Sequence, residues 1–211
     1  MRTETIINKI YNIDELSQEA FDKARQDYIE NEIESGIRNE EFFNNTTDEL
    51  KYDYDIDAKL QYSFGYCQGD GLSFDCDNLL TDEILKEIEK ELTPKDKRIL
   101  AYINEYGGRF YTKNNNHHYC YASKYDVDYS FAPDDIFDCY KDEHKTTSYT
   151  KQDFTKTTEK VLEALCEWYL DKCAELEKRG YDYLYYELTD DEFNDICHAY
   201  GYEFYEDGAR Y

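Results

Sequence analysis

The chain predicts an α+β fold, an antiparallel sheet built from hairpins with helices packed mainly on one face, and three observations carry that expectation. Apolar and polar residues alternate on both sides of a Gly-Asp-Gly turn between Gln61 and Asp75. Later segments repeat apolar residues at helical spacing behind capping residues, and no linker or internal repeat divides the 211 residues. A chain of this length can bury one core, so a single acidic domain over residues 1–211 is expected.

In order, Thr3–Tyr11 is rich in β-branched residues, with Ile6 and Ile10 at even spacing, and predicts a strand. Ser17 predicts a helix N-cap, with Leu16 and Phe21 placed as a hydrophobic staple. Ala20, Phe21, Ala24 and Tyr28 form one apolar stripe on a helix that Gly36 should end. From Ile37 to Asp57 the composition turns acidic, and Phe42, Phe43 and Leu50 are the residues that could anchor this stretch as a helix. Leu60, Tyr62, Phe64 and Tyr66, then Leu72, Phe74 and Cys76, predict two strands joined across Gln68-Gly69-Asp70-Gly71. The glycines supply positive-φ positions and Asp70 an acceptor side chain at the tip.

Thr81 then caps a helix with Ile84, Leu85, Ile88 and Leu92 inward. Thr93-Pro94 with Asp96 opens another, carrying Ile99, Leu100 and Ile103 and closed by Gly107-Gly108. A second hairpin is predicted from Arg109-Phe110-Tyr111-Thr112-Lys113, turning at Asn114-Asn115-Asn116 into His117–Tyr121. Tyr119, Tyr121, Tyr125, Val127, Tyr129 and Phe131 keep to odd positions and predict one long strand with an aromatic face. Residues 133–150 have few aliphatics and read as a long loop or excursion. The strongest helical pattern runs from about Asp153 to Lys178, where Gly180 should stop it. Thr189 with Glu192, and Leu188 with Phe193, open a last helix ending near Gly201, and Tyr202–Tyr205 predicts a closing strand before an Asp207-Gly208 turn.

A formal charge of −25 alongside 40% hydrophobic and 17% aromatic residues describes a folded acidic protein rather than a disordered tail. Such a field repels nucleic acid and anionic membranes and favours basic partners, among them proteins whose surfaces hold nucleic acid. The seven cysteines have irregular spacing and no CxxC pair, and the N-terminus lacks an apolar leader, so reduced thiols in a cytoplasm are expected.

Three segments, DELSQEAFDKARQDY (Asp14 to Tyr28), YSFGYCQGDGLSF (Tyr62 to Phe74) and YEFYEDGARY (Tyr202 to Tyr211), resemble an uncharacterised family encoded by bacteriophages and other mobile elements. Its members similarly have a DELS-type helix start, a QGDG centre and a YEF-EDG tail, and some carry an antitoxin label. Cys67 stands where the family favours serine, and regions 37–57 and 126–150 look particular to this chain. The resemblance implies a phage accessory protein acting in the bacterial cytoplasm and transfers no catalytic residue.

Two readings of function follow. In the first, the chain inhibits a host nucleic-acid-handling defence protein, of the anti-CRISPR or anti-restriction kind, by placing carboxylates where phosphates would lie. Helix residues four apart are about 6 Å apart along the axis, close to two nucleotide steps of about 3.4 Å. The candidate partner-binding residues are Glu30, Glu34, Glu40, Glu41, Asp48 and Glu49, with Asp126, Asp128, Asp134 and Asp135 as a second patch. In the second, a non-enzymatic module binds a small ligand, a signalling nucleotide or an antitoxin-like protein partner through Gln68, Asp70 and the tyrosine stripe, and a nucleotide would require Arg109, Lys113 and Lys124 to converge. No catalytic residues and no cofactor are assigned. A metal site from His117, His118 and Cys120 with Cys67 or Cys76 has poor ligand spacing, so none is expected. Cys67 is the thiol worth testing as a nucleophile, although a negative surround disfavours a thiolate.

Overall fold

A computed structural model describes residues 9–65, 67–114, 119–144 and 148–211. Its elements in chain order are β1 (Tyr11–Asn12), α1 (Gln18–Ser35), α2 (Ile37–Tyr54), β2 (Lys59–Ser63), β3 (Gly71–Asp75), α3 (Asp82–Ile88), α4 (Pro94–Glu105), β4 (Phe110–Thr112), β5 (Val127–Tyr129), α5 (Pro133–Glu143), α6 (Lys151–Leu184), α7 (Asp190–Tyr200) and β6 (Glu203–Phe204). The fold is α+β, and its strands pair as three short antiparallel ladders, β1 with β6, β2 with β3 and β4 with β5. Two compact units are present, Met1–Glu41 with Asp182–Tyr211, and Phe42–Tyr181. Among the described residues no helix is long and apolar enough to cross a membrane.

The first unit is built from the two ends of the chain. Most of the strand expected over Thr3–Tyr11 lies outside the described residues, and Tyr11–Asn12 pairs with Glu203–Phe204. Ser17 caps α1 by accepting the Ala20 N–H, and Gly36 ends it at φ +74°, a left-handed position that costs glycine nothing. Thr189 and Glu192 form the reciprocal capping box that opens α7. Between these helices Ile13, Ala24, Phe193, Cys197 and Phe204 bury a small core, with Phe21 edge-on to Phe193. Arg38 is buried, and its guanidinium bonds Glu32 and the carbonyls of Leu184 and Tyr186, so its charge is paired and its donors are used.

The second unit is organised by the predicted hairpin. β2 and β3 pair from Lys59 with Asp75 to Ser63 with Gly71, in the register that the alternation implies. β3 is buried, and its outer edge is closed by side chains. The Tyr169 hydroxyl of α6 bonds both the carbonyl and the N–H of Phe74, and the Thr112 hydroxyl donates to the same carbonyl. A bridge between Cys76 and Thr112 continues the contact to β4. A second cluster joins Ile99 and Ile103 of α4, Ile136, Phe137 and Tyr140 of α5, and Phe154 of α6.

Four expectations require correction. The second hairpin is wide: Phe110–Thr112 pairs with Val127–Tyr129, not with His117–Tyr121. Of the long tyrosine strand, only Val127–Tyr129 is extended and paired; Tyr119 and Tyr121 stack on each other in irregular chain, while Asn115–His118 lie outside the described residues. Residues 133–143 are helical, not loop. Pro133 stands at the start of α5, Asp134 and Asp135 complement the dipole of its first turn, and the buried face is Ile136, Phe137 and Tyr140, one aliphatic residue beside two aromatics. Gly180 does not stop α6, which continues to Leu184. A Cβ there would lie 2.3 Å from Phe64 Cζ, so the glycine is present to admit that ring.

Candidate functional site

At the hairpin tip, Asp70 is a turn-forming residue. Its carboxylate accepts the Ser63 hydroxyl and the Cys67 N–H, each at 2.6 Å, and these two bonds hold its pKa below the ordinary carboxylate value. Gly69 at φ +106° and Gly71 at φ +145° serve a close approach as well as the turn. A Cβ on Gly69 would fall 2.2 Å from the Tyr119 ring, and one on Gly71 would fall 2.7 Å from the Tyr121 Cα. The Cys120 N–H also bonds the Gly69 carbonyl. The segment 119–121 therefore covers the glycine side of the tip, and Gln68 is left exposed on the other.

The acidic residues separate into engaged and open groups. Glu30 accepts from Gln26 and Glu41 from the Tyr183 hydroxyl. Glu49 is paired with Arg179 and lies near Lys172, which removes it from an unbalanced surface. Glu34, Glu40 and Asp48 are exposed and form no ion pair among the described residues. Glu30, Glu34, Glu40 and Glu41 belong to the first unit, and Asp48 and Glu49 to the second.

The second patch needs a correction. Asp126 is 3% exposed and its carboxylate accepts the Ser123 N–H, so it is an internal turn residue and cannot present charge to a partner. Asp128 is exposed on β5 and caps its neighbour's N–H, whereas Asp134 and Asp135 occupy the first turn of α5.

The cations required for an anionic ligand are placed otherwise. Lys113 lines a cavity of about 580 Å³ together with Lys59 and four aspartates, Asp55, Asp57, Asp75 and Asp77. Lys124 lies over the Tyr125 ring, and Arg109 is exposed.

For the thiols, burial is the leading cause wherever a shift is found, and every shift is upward. Cys197 is pushed to about 11, and Cys76, Cys120, Cys166 and Cys173 also rise, the opposite of what a nucleophile needs. Cys67 is exposed, with its Sγ 3.4 Å from the Gly65 carbonyl. His117 and His118 lie outside the described residues. Among those described, no group of three or more His, Cys, Asp or Glu side chains is arranged to hold a metal ion.

One feature of the first unit was missed in the sequence. A cavity of about 510 Å³ is lined by Ala24, Tyr28, Phe193, Tyr202 and Phe204, with Asp27, Asn31 and Arg210 among its polar residues. Its lining comes from α1, α7 and the tail, so the segments Asp14–Tyr28 and Tyr202–Tyr211, singled out only as motifs, meet around it. No protein family, curated protein or solved structure matches the chain.

Proposed function

We propose that this protein is an acidic, phage-encoded inhibitor that binds the basic nucleic-acid-holding surface of a host defence protein, as an anti-CRISPR or anti-restriction factor does. The observation that supports this reading is a net charge of −25 on a folded chain, with exposed helix carboxylates at Glu34, Glu40 and Asp48 that form no ion pair among the described residues. The excess is steep in places: between Asp182 and Tyr211 nine carboxylates stand against one arginine. Charges of this kind raise the encounter rate with a basic surface and lose their effect as salt rises. Glu30, Glu34, Glu40 and Asp48 are the contacts on which the reading rests, with Asp128, Asp134 and Asp135 secondary. The phage origin follows from the resemblance of the three motif segments.

The test is charge reversal. A chain carrying Glu30→Lys, Glu34→Lys, Glu40→Lys and Asp48→Lys should fold with unchanged circular dichroism and fail to retain, from bacterial host extract, the basic partner that the wild-type chain retains. Equal retention by the two folded chains rejects the proposal.

A further inference from the structure

The cavity of the first unit has the parts of a site for a small zwitterion. Tyr28, Phe193, Tyr202 and Phe204 supply an aromatic lining, with Tyr28 and Phe193 centroids 5.6 Å apart and Tyr28 and Tyr202 6.3 Å apart. Over that lining lies Arg210, its guanidinium carbon 3.6 Å from the centroid of the Tyr202 ring. Among the described residues Arg210 forms no ion pair, although it lies in a chain with 49 carboxylates. A guanidinium held against an aromatic face keeps its forked N–H donors for a planar acceptor, and a carboxylate matches that fork.

Arg210 is held in place by the tail. Asp207 pairs with Lys23 at 2.9 Å, and its carboxylate also accepts the Ala209 N–H. The Tyr205 N–H bonds the Ala209 carbonyl, and the Tyr211 N–H bonds the Glu203 carbonyl. Gly208 sits at φ +84° with the Ala20 carbonyl oxygen 2.1 Å from where its Cβ would be, so the turn presses onto α1 as only glycine allows.

The other polar groups at the cavity divide sharply. Glu32 is taken up by Arg38 and by the Tyr28 hydroxyl. Asp27 forms no ion pair among the described residues and offers its carboxylate. One open cation and one open anion thus accompany an apolar lining. A net anion would be repelled by a chain of charge −25, whereas a zwitterion enters at no long-range cost.

We propose that this cavity binds a free amino acid with a large apolar side chain, its carboxylate on Arg210, its ammonium on Asp27 and its side chain against Tyr28, Phe193, Tyr202 and Phe204. The volume suits the class, since small-molecule pockets run from about 300 to 1,000 Å³. The inference does not depend on the inhibitor reading.

Calorimetric titration with L-phenylalanine, L-tryptophan and L-leucine tests it on the whole chain. Saturable binding of at least one is expected. For that amino acid, the analogue lacking the carboxylate (phenethylamine in the phenylalanine case) and the one lacking the ammonium (3-phenylpropionate) should each bind at least about tenfold more weakly, the factor that one lost charge-assisted bond supplies. Arg210→Gln should abolish discrimination against the decarboxylated analogue, and Asp27→Asn discrimination against the deaminated one. Both residues are at the surface, so the variants should fold as the wild type does. No saturable heat with any of the three amino acids, or discrimination unchanged in either folded variant, overturns the proposal.

Discussion

Tyr169→Phe removes one hydroxyl from the interior of the second unit and leaves the ring. Tyr169 is fully buried and packs edge-on against Phe74 with centroids 5.0 Å apart, which the substitution preserves. What is lost is the hydroxyl that donates to the Phe74 carbonyl at 3.3 Å and accepts the Phe74 N–H at 3.4 Å. The carbonyl keeps the Thr112 hydroxyl at 2.8 Å, so the loss falls on the buried N–H, which is left with only the weak sulfur acceptor of Cys173. A fully unsatisfied buried donor costs about 1–3 kcal/mol, and the remaining sulfur and the length of the lost bonds place this one in the lower part, about 1–2 kcal/mol. For a chain of this size that lowers the melting temperature by roughly 3–6 °C. Scanning calorimetry reads it directly, with Tyr200→Phe, at a residue 71% exposed, as the control expected to melt like the wild type. A Tyr169→Phe chain that also melts with the wild type would refute the claim that α6 closes the edge of β3.

Two further outcomes follow from particular contacts. Gly180→Ala, a change that stabilises an ordinary helix interior by about 1 kcal/mol, should here destabilise by about 1–3 kcal/mol because the new methyl meets Phe64 at 2.3 Å, and a rise in melting temperature would contradict the packing described. At Asp96, burial opposes ionisation, yet bonds from the Thr93 hydroxyl and N–H, Lys160 and Thr157 outweigh it and hold the carboxyl at about 2. A pKa depressed in the folded state contributes stability above the ordinary value of 3.8 and loses it as pH falls towards about 2, so Asp96→Asn should flatten the loss of melting temperature across that window. An acid limb identical in the two chains would show that these bonds do not favour the ionised carboxylate.

What could be read in advance was local chemistry. Ser17, Thr81, Thr93 and Thr189 each accept the helix N–H that their spacing implies, and the register of β2 with β3 follows from alternation alone. The misreadings arose where tertiary contact overrode a local signal. Gly180 looked like a helix stop because its partner, the Phe64 ring, lies far away in sequence. The odd-position tyrosines looked like one strand, yet Tyr119 and Tyr121 are used to cover the glycines of the hairpin tip. Asp126 had the composition of a surface residue and the position of a buried turn. The cavity was illegible for the same reason. Tyr28 and Arg210 lie at opposite ends of the chain, and no periodicity joins them.

The claim that the acidic surface stands in for nucleic acid is tested most directly by competition. The wild-type chain, immobilised at low salt, should capture from bacterial host extract a basic DNA- or RNA-binding protein that is released by added duplex DNA and by raised salt. A captured protein that stays bound through excess nucleic acid and high salt would contradict the account.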